Sequence, residues 1–173
     1  AVGRHLDAGA DTRDAQRIDG RGRLLTPGLI DVHTHGVMYS LYEHGARGLR
    51  TAARELGRFG VTTVLPTIIP RPTPEMFACL AEISAALADV REINAPGLHL
   101  EGPFMALGGA ACPTLPGDLA LLDRLLEACG GRVAAMSVSP DAPNIIPVIR
   151  RLRERGIAVF LTHTRASVEQ TEA

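Results

Sequence analysis

Residues 48–69 read GLRTAARELGRFGVTTVLPTII, and this stretch contains a helical pattern followed directly by a strand pattern. Apolar side chains recur at helical spacing as far as Leu56, and Gly60 is a natural stop for a helix. The run that follows is rich in β-branched residues, which favour extended chain. The sequence therefore predicts a helix over residues 48–59 and a strand over residues 61–69.

The same alternation of strand and helix continues on both sides of this stretch, after a polar segment of about 25 residues. Several of the strand patterns are apolar on both faces, as in parallel strands that are covered by helices. This order indicates an α/β fold with a parallel sheet, either doubly wound or closed into a barrel. A dinucleotide-binding sheet loses support, because no Gly-x-Gly-x-x-Gly follows the first strand. The other predicted strands cover residues 29–35, 97–101, 133–139 and 157–163, and the other helices cover 73–87, 118–129, 144–155 and a segment that begins near 167.

The composition indicates a folded protein and argues against several kinds of site and partner. The chain has 173 residues, a net charge of -1, 46% hydrophobic and 21% charged residues, so a packed core is expected. Aromatic residues make up only 3%, with no Trp, and this argues against a nucleic-acid partner. All 18 basic residues are Arg, which excludes a P-loop lysine, a Schiff base and a lysine-derived metal bridge from these residues.

The three cysteines, Cys79, Cys112 and Cys129, form no Cys-x-x-Cys pair, so a disulfide framework and a structural zinc site are both disfavoured. A reducing cytoplasm fits this pattern. No apolar run approaches the roughly 20 residues that span a bilayer, so no membrane partner is expected. The chain lacks an initiator Met and stops within a helical pattern, and we expect it to be part of a longer protein.

Metal-ligating side chains follow three of the predicted strands. His33 and His35 lie two residues apart at the end of the first strand, so they project to the same face. Glu101 ends the third strand, and His163 ends the fifth. The carboxyl ends of parallel strands lie at one edge, where barrels place their active sites. Imidazole and carboxylate together are typical ligands of Zn, Mn or Fe(II), so the sequence predicts a metal site there.

Other polar residues have ordinary structural explanations. A lone His at a strand end is usually a hydrogen-bonded structural residue, and His99 lies deeper than Glu101 on the same face, which favours a packing role. Cys112 follows the third strand, and an ordinary loop cysteine is a better interpretation than a catalytic thiol. Surface positions are expected for His5 and His44, and no role is assigned to the strand-end hydroxyls of Thr67, Ser137 and Ser139.

Four segments carry a family resemblance, which extends from about Gly20 to the C-terminus. The first, LTPGLIDVHTHG at residues 25–36, resembles the opening metal motif of the amidohydrolase superfamily. The others are FGVTTVLPT at 59–67, GLHLEGPF at 97–104 and GIAVFLTHTRA at 156–166. Together they resemble the N-acetylglucosamine-6-phosphate deacetylase family.

This resemblance implies a (β/α)8 barrel of the TIM type, with about five of its eight strands in residues 26–173. It implies that residues 1–25 contribute to a small β-sandwich. It also implies a homo-oligomer, specifically a dimer. In the family, the Glu of the third strand and two later His residues bind one divalent metal, and a His-x-His pair can hold a second ion.

Carried over to this chain, Glu101 and His163 match ligands of one divalent ion, Zn, Fe or Mn. His33 and His35 match the optional second position. The second later His and the acid/base Asp are expected beyond residue 173, so no catalytic residue is assigned within the chain. Without a lysine, Glu101 is the group expected to bridge two ions.

The expected function is metal-dependent hydrolysis of an amide bond, with an N-acetylated amino-sugar phosphate such as N-acetylglucosamine 6-phosphate as substrate. Two departures from the family keep alternatives open. Residues 108–113 read GGAACP in place of a Lys-Gly-Ala/Thr-His segment whose His contacts substrate, and Thr162 replaces a Gly. The alternatives are an amidohydrolase acting on a cyclic amide, an acylated amino acid or a nucleobase, and a non-catalytic barrel remnant.

Overall fold

The computed structural model describes residue 16, residues 18–109 and residues 111–172. Its centre is a mixed α/β arrangement built on a five-stranded parallel sheet that curls like half of a barrel. Along the chain, each strand of this sheet is added beside the previous one. The strands of the sheet, in spatial order, are β1 (Leu29–Thr34), β4 (Val61–Ile68), β5 (Leu98–Glu101), β6 (Val133–Val138) and β7 (Ala158–Leu161).

Helices connect the parallel strands, as a parallel sheet requires. A small antiparallel pair, β2 (Gly36–Val37) and β3 (Ser40–Leu41), follows β1, and the sequence patterns do not predict it. Every predicted helix and strand is present, with its ends shifted by three residues or fewer. The helices are α1 (Gly45–Arg58), α2 (Pro74–Ala86), α3 (Leu119–Ala128), α4 (Ile145–Glu154) and α5 (Val168–Glu172).

Local caps fix where several helices begin and end. The hydroxyl of Thr73 accepts a hydrogen bond from the backbone N–H of Met76 at 3.3 Å, and Pro74 occupies the first helical position of α2. The carboxylate of Asp118 accepts two such bonds at the start of α3. After α1, Gly60 has a φ of 85°, a conformation that glycine adopts without steric cost. The two caps fix where α2 and α3 begin, and Gly60 allows the short turn from α1 into β4.

The two faces of the sheet differ in character. Alternate residues of β5 show this: Leu98 and Leu100 are fully buried in the apolar core, whereas His99 and Glu101 belong to the small set of buried polar residues. Because side chains alternate along a strand, the polar set lies on the face opposite the helices. The other members of that set on the sheet are Thr67 and Ser137.

The N-terminal segment falls largely outside the described residues. Residues 18–25, which the structure does describe, contain neither helix nor strand and are exposed. Most of the predicted β-sandwich segment, residues 1–25, lies outside the described residues, so the sandwich stays a prediction. Within the described ranges, no helix is both long and apolar enough to cross a membrane.

Candidate metal centre

The two histidines of the first strand face one carboxylate. His33 lies in β1 and His35 directly follows it, and their Nε2 atoms lie 3.5 Å and 3.0 Å from Oε2 of Glu101. The two rings meet edge to face, with centroids 5.4 Å apart. One ligand atom from each of these three residues lies within 4.8 Å of the others, which is close enough for all three to bind one ion.

Glu101 is the centre of the cluster, because its two carboxylate oxygens face different histidines. Oε1 lies 3.0 Å from Nε2 of His163, on the side away from the His33 and His35 pair. The residue is only 7% exposed. A buried carboxylate requires compensating partners, and among the described residues the close ones are imidazole nitrogens. The structure thus brings together all four side chains that the sequence singled out.

A backbone carbonyl orients the ring of His35. Nδ1 of His35 lies 3.1 Å from the carbonyl oxygen of Thr67, and because a carbonyl only accepts, Nδ1 must donate. With Nδ1 held by this carbonyl, Nε2 is the ring nitrogen that faces Glu101, as in metal sites where a histidine is fixed through its other nitrogen. The Thr67 hydroxyl also accepts a hydrogen bond from the N–H of Thr34 at 3.1 Å.

His99 is buried beneath the cluster and uses both ring nitrogens internally. Nδ1 donates to the carbonyl oxygen of Val32 at 2.8 Å, and Nε2 accepts from the hydroxyl of Ser137 at 2.8 Å. Burial is the main cause that lowers the pKa of His99, which keeps the ring neutral. The predicted packing role of His99 is confirmed, and its bond to Val32 supports the strand that presents His33.

The remaining candidates lie at the rim or away from the site. A cavity of about 230 Å³ opens beside Glu101 and His163 and is also lined by Gly109 and Cys112. The thiol of Cys112 donates to the backbone carbonyl of Glu101 at 3.2 Å, and burial raises its pKa to about 11, so it is a neutral loop thiol at neutral pH. His44 is exposed, as expected, and His5 lies outside the described residues.

Thr67 and Ser137 have structural roles that the sequence patterns leave unassigned. Both side chains are buried near the carboxyl end of a strand. Ser137 bonds to His99, and Thr67 bonds to the end of the strand that carries His33. The only signal in the sequence is a hydroxyl at a strand end, which is common in any parallel sheet. The carbonyl of Thr67 has no signature in sequence, because every residue carries one.

The donor set suits a divalent transition metal. Imidazole nitrogens with one carboxylate are the ligands that zinc, iron and manganese bind in hydrolytic sites, whereas magnesium and calcium prefer oxygen alone. Because Nδ1 of His35 donates to the Thr67 carbonyl, Nε2 is the ring nitrogen available to a metal. The residues present therefore fit such an ion.

Comparisons with known proteins agree with this chemistry. The model of the Amidohydrolase family matches residues 24–133. The human N-acetylglucosamine-6-phosphate deacetylase is 32% identical over 169 residues, covering 91% of this chain and 41% of that protein. The N-acetylgalactosamine-6-phosphate deacetylase of Escherichia coli O157:H7 is 28% identical, covering 87% of this chain and 41% of that protein. The chain thus spans about two fifths of the length of these relatives.

Solved structures show the same arrangement of strands and helices. A variant of the Mycobacterium smegmatis N-acetyl-D-glucosamine-6-phosphate deacetylase, in complex with N-acetyl-D-glucosamine-6-phosphate, aligns with a TM-score of 0.71 at 28% identity. The alignment covers 84% of this chain and 39% of that one. The Pasteurella multocida enzyme, at 23% identity and a TM-score of 0.75, supports the fold alone. Since the family model matches well over half of the residues, the chain belongs to the amidohydrolase family.

Proposed function

We propose that the protein catalyses metal-dependent hydrolysis of an amide bond and removes the acetyl group of an N-acetylated amino-sugar phosphate such as N-acetylglucosamine 6-phosphate. The single observation that carries this proposal is the buried carboxylate of Glu101, whose two oxygens each face imidazole nitrogens. The relatives support the substrate class, because those at 28–32% identity include deacetylases of N-acetylated hexosamine phosphates.

Each side of Glu101 has a distinct role in the proposal. Oε1 and Nε2 of His163 would hold one divalent ion, Zn, Fe or Mn, and Oε2 with His33 and His35 would hold a second. When bound, such an ion lowers the pKa of a coordinated water toward neutrality and polarises the acyl carbonyl. The carboxylate of Glu101 would neutralise part of the positive charge of each ion, and its burial would strengthen that attraction.

The protein residues supply orientation and charge. The Thr67 carbonyl keeps the ring of His35 turned with Nε2 toward Glu101, and the buried ring of His99 supports the end of β1. The proton for the leaving amine is expected from the Asp that the family places beyond residue 173. Four features stay predictions: a closed (β/α)8 barrel that includes residues 26–173, a sandwich that includes residues 1–25, a dimer and a cytoplasmic location.

One observation favours a second candidate function. Residues 106–117, which include two lining residues of the cavity, contain no charged side chain. A phosphate group is normally bound by basic side chains or by backbone N–H groups at a helix start. The second candidate is therefore an amidohydrolase whose substrate lacks the phosphate, such as a cyclic amide, an acylated amino acid or a nucleobase.

A substrate panel separates the candidates. The full natural chain that contains these residues would be loaded with Zn²⁺ or Mn²⁺ and assayed on N-acetylglucosamine 6-phosphate, N-acetylglucosamine, an N-acetyl amino acid, a cyclic amide and an aminated nucleobase. We expect acetate release from the phosphorylated sugar, and loss of that activity in Glu101→Gln. Turnover of another panel member instead would support the second candidate. Absence of both turnover and metal binding would indicate a non-catalytic barrel remnant.

A further inference from the structure

The backbone of His163 has an unusual conformation. Its φ is 50°, in the left-handed region that residues with a side chain rarely adopt. This conformation turns the chain at the end of β7 and directs Nε2 of the ring to Oε1 of Glu101, 3.0 Å away. Such a conformation persists only where surrounding contacts hold it. Two residues of the turn after β6 hold the backbone of His163.

The first contact comes from Ser139, at the turn after β6. Its side chain is fully buried, and its hydroxyl lies 2.9 Å from the carbonyl oxygen of Thr162 and 2.7 Å from that of His163. A hydroxyl carries one proton, so the two carbonyls share this donor. The N–H of Leu107 also donates to the His163 carbonyl at 3.1 Å. Hydrogen bonds therefore hold the peptide groups before and after the α-carbon of His163.

The second contact comes from Asp141, in the same turn. One carboxylate oxygen accepts a hydrogen bond from the Thr164 hydroxyl at 2.5 Å, and the other accepts from the N–H of Arg165 at 3.2 Å. The Thr164 hydroxyl in turn accepts from the N–H of Ala166 at 2.8 Å. The hydrogen bond from Thr164 is the main cause that lowers the pKa of Asp141, so the carboxylate is charged at neutral pH.

We infer that the turn of Ser139 and Asp141 is a positioning device for His163 as a metal ligand. Ser139 fixes the chain before and at His163, and Asp141 fixes the two residues after it. In the described part of the chain, neither side chain bonds to Glu101 or to the ring of His163, so both act through the backbone. The inference rests on the proposed function, because it assumes that His163 binds a metal.

The test measures Co²⁺ affinity rather than activity. The full natural chain would be titrated with Co²⁺ by visible absorption, in a His33→Asn, His35→Asn background that isolates the ion at Glu101 and His163. Loss of an outer-shell partner typically weakens metal affinity about 10- to 100-fold. We expect a weakening of that size in Asp141→Ala and in Thr164→Val, and a cooperative denaturation transition shows that each variant is folded. Thr164→Ser keeps the hydroxyl and should restore the affinity.

Asp123→Ala is the matched control. Asp123, like Asp141, accepts two hydrogen bonds, here from Arg151 at 2.8 Å and 2.9 Å, and it forms an ion pair with Arg155 at 3.7 Å. It lies on α3, away from the site. It should leave Co²⁺ affinity within about twofold of the background protein.

Three outcomes would overturn the inference. If the background protein binds no Co²⁺, the proposed function fails and takes the inference with it. If it binds Co²⁺ while Asp141→Ala and Thr164→Val bind equally well, only the inference fails. It also fails if Asp123→Ala is as damaging as Asp141→Ala. Should Asp141→Ala not fold, the comparison of Thr164→Val with Thr164→Ser decides alone.

Discussion

At the scale of single residues, Glu101 has a central position among the four candidate ligands, because its carboxylate contacts all three histidines. We predict that Glu101→Gln removes bound metal almost completely, since the amide keeps the shape but loses the charge. Its effect on affinity should exceed the roughly 100-fold that loss of an outer-shell partner causes. His33→Asn should lose only the second ion and part of the rate, because His33 contacts one carboxylate oxygen at 3.5 Å.

Elemental analysis of both variants, together with the hydrolysis rate, checks this ranking of the two metal positions. Retention of about one metal equivalent in His33→Asn and almost none in Glu101→Gln is the expected result. Equal metal loss in the two variants would show that the positions are not ranked in this way.

A pair of neighbouring glycines gives a steric test at the same scale. A Cβ on Gly109 would lie 2.5 Å from Cε1 of the His163 ring, whereas a Cβ on Gly108 would meet nothing nearer than 3.7 Å. The ring is the mobile end of a side chain, so Gly109→Ala should push it away from Glu101. We predict at least a tenfold loss of metal affinity in Gly109→Ala, comparable to loss of an outer-shell partner.

Gly108→Ala is the control and should bind metal like the unmodified protein. Calorimetric titration with Zn²⁺ measures both affinities, and the denaturation midpoint shows that each variant is folded. If the two alanine variants bind metal equally well, then the ring of His163 is not held against Gly109 as the structure shows.

At the scale of elements, helix caps connect the sequence to the position of the site. Asp118 accepts from the N–H groups of Ala120 at 2.8 Å and Leu121 at 3.1 Å, and so satisfies two donors that α3 leaves unpaired. We predict that Asp118→Ala lowers the free energy of unfolding by about 0.5–2 kcal/mol. Asp118→Asn should lose less, because its side-chain oxygen still accepts.

Glu127→Ala, at the exposed C-terminal end of the same helix, is the matched control and should change the free energy by less than about 0.5 kcal/mol. Urea denaturation of the three variants gives the values. A cost in Asp118→Ala no larger than in Glu127→Ala would remove the cap from the explanation of where α3 begins.

The same local signals explain how far the fold is predictable from sequence. The start of α2 follows from a Thr cap and a Pro at the first helical position, and the boundary between α1 and β4 follows from a Gly stop. All of these signals act within a few residues. The pair β2 and β3 is different, because strands of two residues have no periodicity to detect. It forms because the chain must return from the end of β1 to the start of α1.

The site is predictable to a different extent. His33, His35 and Glu101 are found from sequence because each lies at the end of a parallel strand, and such ends meet at one edge. The direction of each ring depends on groups distant in sequence: the Thr67 carbonyl for His35, and Ser139 for the backbone of His163. Contacts between residues 24 or 32 positions apart leave no pattern in a single sequence.

At the scale of the whole molecule, one face of the sheet packs against the apolar core and the other face carries the candidate metal ligands. The face toward the helices contains fully buried apolar side chains such as Val64, Leu98 and Met136. The opposite face contains His99, whose ring bonds to the Ser137 hydroxyl and the Val32 carbonyl, and Glu101, whose carboxylate faces three other histidines. Because the ligands are anchored in a sheet packed from behind, replacing a ligand should cost metal binding far more than it costs folding.

The two edge strands of the sheet expose apolar side chains. In the described residues, β1 and β7 each pair with one neighbour only, and both expose apolar side chains: Ile30 is 69% exposed on β1, and Leu161 is 42% exposed on β7. Open edges with apolar side chains favour association between chains. Burying one such side chain contributes roughly 1.5–3 kcal/mol. We predict that the 173-residue chain, expressed alone, forms species larger than its monomer mass of 18.4 kDa.

Light scattering coupled to gel filtration measures the mass, and two substitutions localise the cause. Ile30→Lys and Leu161→Lys place a charge on the two edges and should shift the chain toward the monomer. Phe59→Lys is the control, because Phe59 is 64% exposed but belongs to the end of α1 and not to an edge strand. If Phe59→Lys reduces association as much as the edge variants do, general surface hydrophobicity is responsible. A monomeric, cooperatively unfolding parent chain would contradict the prediction outright, because it would show that the exposed strand edges are tolerated in water.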